Sequence, residues 1–88
     1  MKHQIAIFRF TLGPHQSIGP ALLRALWAHA CQSPHVSVGR HDDRASGRPT
    51  YSLYASQRLD NLPLVEQRLR EALDQHKLRA SLIPLHTN

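Results

Sequence analysis

The sequence contains a single cysteine, Cys31, and no apolar run that approaches the length of a membrane span. One thiol cannot form an internal disulfide, so a disulfide framework is excluded. The first residues also lack the apolar core of a secretory signal peptide. We therefore expect a cytoplasmic protein that has no membrane partner.

Acidic residues and lysines are scarce too. The chain has 6 Asp and Glu against 11 Lys and Arg, which gives a net charge of +5 with neutral histidines. Only Lys2 and Lys77 are lysines, a usage compatible with a GC-rich, bacterial genome. A basic balance favours anionic partners, namely nucleic acid, phosphorylated ligands or acidic proteins. The arginines form no run, which is equally typical of a solvated, mildly basic surface.

The length and the apolar content bound the fold class. The 88 residues suffice for one domain, residues 1–88, and the 41% of hydrophobic residues suffice for a core. A domain of this size buries only about 60% of its unfolded surface and is marginally stable alone. A partner subunit is therefore a reasonable expectation.

Apolar and β-branched residues between Gly and Pro breakers predict four strands, at residues 4–12, 35–40, 49–56 and 78–85. Pro84 lies in the last of these, where a missing backbone donor is tolerated only at a sheet edge. The short second strand contains Gly39 and suits the other edge. The polar segment 41–47 predicts a hairpin loop between the second and third strands.

Two helices are predicted between the strands. We expect Ser17 to cap the first, with Pro20 in its first turn and an end at Gln32. Asp60 or Asn61 is expected to cap the second, whose amphipathic stripe is the clearest in the chain. This stripe comprises Leu62, Val65, Leu69, Ala72, Leu73 and His76.

The order βαββαβ predicts an α+β, ferredoxin-like fold, a four-stranded antiparallel sheet with two helices on one face. The first and third strands would be central. Two helices cover one face only, so Ile5 and Ile7, or else Phe8 and Phe10, are expected in water on the open face. A homodimer through the sheet face or a sheet edge would cover them.

The loop between the first strand and the first helix is the main candidate binding site. His15, Gln16, Ser17 and Gly19 lie there, beside a helix N-terminus whose free N–H groups and dipole favour an anion. Gly19 would allow a ligand or a partner backbone to approach closely. We therefore expect this loop to contact a small anionic ligand or a partner enzyme.

An alternative site is the open sheet face. RNA-binding ferredoxin-like domains stack bases on aromatic residues of the first and third strands. The candidates here are Phe8, Phe10, Tyr51 and Tyr54, with phosphate contacts from Arg40, Arg44 and Arg48 around the hairpin. Residues 47–54 fit the usual third-strand signature poorly.

Catalytic and metal-binding patterns are weak. His29, Cys31 and His35 lie close together, but the chain has no CxxC motif, no second pair of metal ligands and no nucleophile elbow. Cys31 is better interpreted as a small buried residue. We expect no metal, no cofactor and no enzymatic activity.

The helix ALLRAL, the segment GRPTYSL at residues 47–53 and the helix over residues 65–73 together resemble an ACT-type regulatory domain over nearly the whole chain. In size the chain is similar to free-standing examples, such as the small regulatory subunit of acetolactate synthase and the YbeD-like proteins. The family's Asp-x-Pro-Gly turn is replaced here by residues 16–19. The opening KHQIAIFRF also resembles dimeric α+β barrel proteins.

This resemblance implies a non-enzymatic regulatory or binding module that acts as a homodimer on a small ligand or a partner protein. Two alternatives remain open at this point, a nucleic-acid-binding ferredoxin-like domain and a dimeric α+β barrel protein.

Overall fold

The fold is given by a computed structural model that describes residues 4–13, 16–42 and 47–85. Within these ranges the chain forms β1 (Gln4–Leu12), α1 (Pro20–Cys31), β2 (Ser37–Asp42), β3 (Pro49–Ser56), α2 (Leu62–Gln75) and β4 (Ala80–Pro84). The strands pair antiparallel in one sheet in the order β2-β3-β1-β4. This is the predicted ferredoxin-like α+β fold, with β1 and β3 central. No helix in the described ranges is long and apolar enough to cross a bilayer.

The predicted strand boundaries agree with the structure for the two central strands and less well for the two edge strands. β1 and β3 have the predicted bounds, and Pro84 lies at the end of an edge strand as expected. β2 is displaced by two residues from the predicted 35–40, and β4 is shorter than the predicted 78–85. The chain reaches β4 through a turn at Lys77, whose φ of 58° ends the helical conformation.

The helix caps differ from the sequence prediction. Gly19, and not Ser17, is the N-cap of α1, with an extended backbone (φ −71°, ψ 152°) and no side-chain cap. Asn61 is the N-cap of α2, but its side chain does not cap the helix because its backbone is left-handed at φ 56°. Proline follows the cap in both helices and fixes φ without loss of a needed donor.

A bulge in β1 corrects the prediction about the open face, which is the sheet face turned away from the helices. Ala6 pairs with Tyr54 and Phe8 with Leu53, so that Ile7 is the extra residue. A bulge lets consecutive side chains depart from strict alternation. Ile7 and Phe8 are accordingly both buried, each 2% exposed. The prediction that two large apolar side chains of β1 are exposed to water on the open face was therefore wrong.

The open face is instead mostly small and polar. The residues that alternate with the buried side chains of β1 and β3 are Arg9, Thr11, Thr50, Ser52 and Tyr54. Ile83 of β4 pairs with Arg9 and places one large aliphatic side chain on this face, at 55% exposure. A second subunit is not needed to cover this face.

The core lies between the other sheet face and the two helices. Trp27 of α1 is fully buried, packs edge to face on Phe8 at 5.8 Å between ring centroids, and donates from Nε1 to the Tyr54 carbonyl at 2.8 Å. Phe10 stacks on Tyr51 at 5.0 Å. From α2, the core receives the predicted stripe residues Val65, Leu69, Ala72 and Leu73.

Candidate functional site

The predicted binding loop meets the base of the β2–β3 hairpin in a cleft of about 370 Å³, which we call the hairpin cleft. The loop and the end of β1 contribute one side, and the hairpin contributes the other. Its described lining consists of Leu12, Gly13, Gln16, Ser17, Arg40, Gly47, Arg48 and Pro49. Two residue sets that the sequence assigned to different functions, Gln16 with Ser17 and Arg40 with Arg48, therefore share one site.

The antiparallel pairing of β2 with β3 positions Arg40 at this cleft. Arg40 pairs with Tyr51 of β3, and its Nε donates to Asp42 Oδ1 at 3.0 Å. Both side chains are more than half exposed, so this ion pair contributes at most about 1 kcal/mol to stability. Among the described residues this contact engages Nε and not the terminal amino groups of the guanidinium.

The remaining predicted cations and the loop hydroxyl are placed as follows. Arg48 follows Gly47 at the end of the hairpin and is exposed in the cleft. Ser17 is exposed on the opposite side. Arg44 and His15 lie outside the described residues, so their predicted roles stay predictions.

Gln16 lines the cleft and also holds the loop in place, while its predicted ligand contact stays a prediction. Its Nε2 donates to the Lys77 carbonyl at 2.9 Å, and its Oε1 accepts from the Arg79 amide at 2.9 Å. The Gly13 amide donates to the Arg79 carbonyl at 2.9 Å beside them. The carboxamide thus fastens the binding loop to the connection between α2 and β4, and both of its polar ends are already engaged.

We expect Gln16→Glu to lower the free energy of unfolding by about 1–3 kcal/mol, because a carboxylate cannot donate to the Lys77 carbonyl. Gln57→Glu is a matched control, since Gln57 is exposed and the charge change is the same. Urea titration followed by Trp27 fluorescence measures both variants. Equal stability of the two would show that the carboxamide contacts do not hold the loop.

Gly19 does not line the hairpin cleft. Its φ of −71° is open to any residue, and a Cβ built there meets no heavy atom within 4 Å. The space around this position is open within the protein, so the predicted close approach of a ligand or partner at Gly19 stays a prediction. The first turn of α1 also lies outside the lining, so the helix dipole is not the main feature of the site.

The aromatic residues of the nucleic-acid alternative are mostly inside the core. Phe8, Phe10 and Tyr51 are each at most 2% exposed on the helix-covered face, and the Tyr51 hydroxyl accepts a long bond from the Ile18 amide at 3.5 Å. Tyr54 does lie on the open face, where its ring covers Gly39. Base stacking on these strands would rest on that one ring. Arg9, beside it on β1, is an exposed cation that sequence reasoning did not single out.

Cys31 is buried, as predicted. It is 7% exposed at the end of α1, and burial raises the pKa of its thiol to about 12, although the nearby Arg68 guanidinium acts in the opposite direction. The thiol is protonated and weakly nucleophilic at neutral pH. His29 and His35 are both exposed.

Comparison with protein-family models, with curated proteins and with solved structures finds no match to this chain. The ACT-like resemblance therefore stays a prediction, and function has to be argued from the clefts and charges described above.

Proposed function

We propose that this chain is a non-enzymatic, ACT-like binding module that takes a small anionic ligand in the hairpin cleft and acts as a homodimer. The observation that carries the proposal is the placement of Arg40, Arg48 and Ser17 around one cleft. The ligand would accept hydrogen bonds from the two guanidinium groups and from the hydroxyl.

The chemistry of the lining supports an anion. A guanidinium presents planar forks of donors that match carboxylate and phosphate oxygens, and such charge-assisted bonds are stronger than neutral ones. The net charge of +5 adds a favourable long-range field. A volume of about 370 Å³ is within the usual range for small-ligand sites.

The described lining also supports binding without catalysis. It contains one hydroxyl, from Ser17, and no histidine, thiol or carboxylate that could act on it as a base. A nucleophile and a general base within hydrogen-bond reach are the usual minimum for covalent, nucleophilic catalysis. Binding and release are the simpler function for this arrangement.

The dimeric part of the proposal is supported by the β2 side of the molecule and not by the open face. β2 is an edge strand that pairs only with β3 among the described strands, so its outer backbone groups are free for another strand. Leu22 of the neighbouring α1 is 42% exposed. Light scattering at micromolar concentration should give twice the chain mass of 10.0 kDa; a monomer would contradict the dimer and leave the ligand site untouched.

Calorimetric titration with inorganic phosphate, amino acids and mononucleotides tests the site. We expect Arg40→Ala and Arg48→Ala each to weaken the ligand that binds by roughly tenfold or more, because each removes charge-assisted hydrogen bonds. Arg9→Ala is the matched control, since it removes an exposed cation from the open face. The affinity of the Arg9→Ala variant for the same ligand should be within about twofold of that of the parent protein.

The nucleic-acid alternative predicts a different result in the same titration. The affinity for an oligonucleotide should fall steeply as the salt concentration rises. The slope of log affinity against log salt concentration should decrease in magnitude by about one unit for each phosphate-contacting arginine that is removed. Oligonucleotide binding that requires Arg9 and Tyr54, together with no binding of small anions, would replace the proposed function.

A further inference from the structure

A second cleft, of about 440 Å³, lies at the other end of β3, where α1 ends and α2 begins. The hairpin cleft includes Pro49, the first residue of β3, whereas this one includes Ser56, the last. We call it the helix-end cleft. The lining residues that matter here are Cys31, Arg58, Leu59, Asp60, Leu64 and Arg68.

Neither arginine of this cleft, Arg58 or Arg68, forms an ion pair with a carboxylate of the described residues. Arg68 is half-buried, and its Nη1 donates to the Ala30 carbonyl at 2.8 Å, a neutral partner. The ion pairs in the described ranges are Arg40 with Asp42 and Arg70 with Glu66. A partly desolvated guanidinium is stabilised by a counter-ion, so the cleft favours an incoming anion.

The lining of this cleft also includes apolar side chains. Leu64 is 37% exposed at the start of α2, and Leu59 is half-buried beside it. Leucine side chains at the rim of a cationic cleft suit a ligand with a hydrocarbon or aromatic body. The presence of both cationic and apolar side chains in one lining therefore favours an amphipathic anion over inorganic phosphate.

The net charge of the described lining favours an anion with one negative charge. Asp60 contributes one negative charge against the positive charges of Arg58 and Arg68, which leaves a net charge of +1 in the described lining. A carboxylate satisfies this balance with one negative charge, whereas a phosphate monoester carries about −1.5 to −2 at neutral pH. The monoanion is the better match.

We propose that the helix-end cleft binds a small amphipathic carboxylate, with the carboxylate on Arg68 and Arg58 and the apolar body on Leu59 and Leu64. This site is separate from the hairpin cleft and does not depend on what binds there.

Cys31 provides a local reporter for occupancy. It is the only cysteine of the chain, and it lines this cleft. Its raised pKa makes alkylation slow at neutral pH, so the reaction with iodoacetamide, a neutral reagent, is run at about pH 9, where more thiolate is present, and is followed over hours by mass spectrometry. A bound ligand should slow the reaction. The full chain is used, with 3-phenylpropionate and hexanoate as probes and with their primary amides as uncharged matches.

We expect the carboxylates to slow alkylation of Cys31 in a saturable manner and the amides to have no effect. Arg68→Gln removes the charge but keeps a donor for the Ala30 carbonyl, and it should raise the half-saturating concentration by roughly tenfold or more. Arg70→Gln is the control, because Arg70 pairs with Glu66 on the outer side of the same helix. Its half-saturating concentration should stay within about twofold of the parent value.

Three results would overturn the proposal. The first is no protection of Cys31 by either carboxylate at millimolar concentration. The second is equal protection by the amides, which would indicate apolar contact without the charge. The third is unchanged protection in Arg68→Gln. A thermal melt of Arg68→Gln, with a cooperative transition as in the parent protein, verifies that a loss of protection is not due to unfolding.

Discussion

Trp27→Ala should remove most of the stability of this domain, with a loss of about 3–5 kcal/mol in the free energy of unfolding. The indole is 0% exposed and packs edge to face on Phe8. Truncation would leave a large cavity under the sheet and would leave the Tyr54 carbonyl without the bond from Nε1. Small domains lie near the lower end of the usual range of about 5–15 kcal/mol, so this loss is most of what an 88-residue chain has, and the variant should be partly unfolded at 37 °C.

Urea titration followed by far-ultraviolet circular dichroism measures this effect, since the variant has no tryptophan to report. Leu22→Ala is the control on the same helix, because Leu22 is 42% exposed. It should cost less than about 1 kcal/mol. A loss below about 1 kcal/mol for Trp27→Ala would mean that α1 does not pack on β1 through its indole.

Leu69→Ala is expected to cost about 2–5 kcal/mol, because Leu69 is the fully buried centre of the α2 stripe. Leu64→Ala is the matched control, with the same change on the same helix at a residue that is 37% exposed. Its cost should be below about 1 kcal/mol. Trp27 fluorescence in a denaturant titration reports both. Equal losses in the two variants would mean that the buried face of α2 is assigned wrongly.

The parts of the fold that the sequence predicted well are those with a local physical cause. β1 ends where Gly13 and Pro14 interrupt the apolar pattern, and β3 begins at Pro49, so both central strands were bounded correctly. Pro84 lacks a backbone donor and indicated that β4 is an edge. Glu66 and Arg70 are likewise neighbours on one helix face through their i,i+4 spacing, and they form an ion pair at 2.9 Å.

The bulge in β1 shows why the face assignment failed. An assignment of faces by alternation assumes that each residue of a strand points to the opposite side from the one before it. Because β1 has apolar residues on both sides, its sequence does not reveal the extra residue at Ile7. One inserted residue moves every side chain that precedes it in the strand to the opposite face of the sheet. The prediction of an apolar open face followed from that count, and so did the argument that a dimer must cover it.

The site was predictable only in separate parts. Ser17 was assigned from its loop and Arg40 and Arg48 from their hairpin, but their meeting in one cleft depends on the register of β2, β3 and β1. The partners of Gln16 lie 61 and 63 residues away along the chain. No local pattern indicates contacts at such separations, so its structural role could not be anticipated.

Amide chemical-shift mapping tests the central claim, that a small anion binds in the hairpin cleft, most directly. The labelled protein is titrated with the anion that gives the largest heat in calorimetry. The account predicts saturable shifts concentrated at Gly13, Ser17, Arg40 and Arg48, with the amides of α2 unmoved. Shifts confined to the open face around Arg9 and Tyr54, or no shifts with any anion at millimolar concentration, would contradict it.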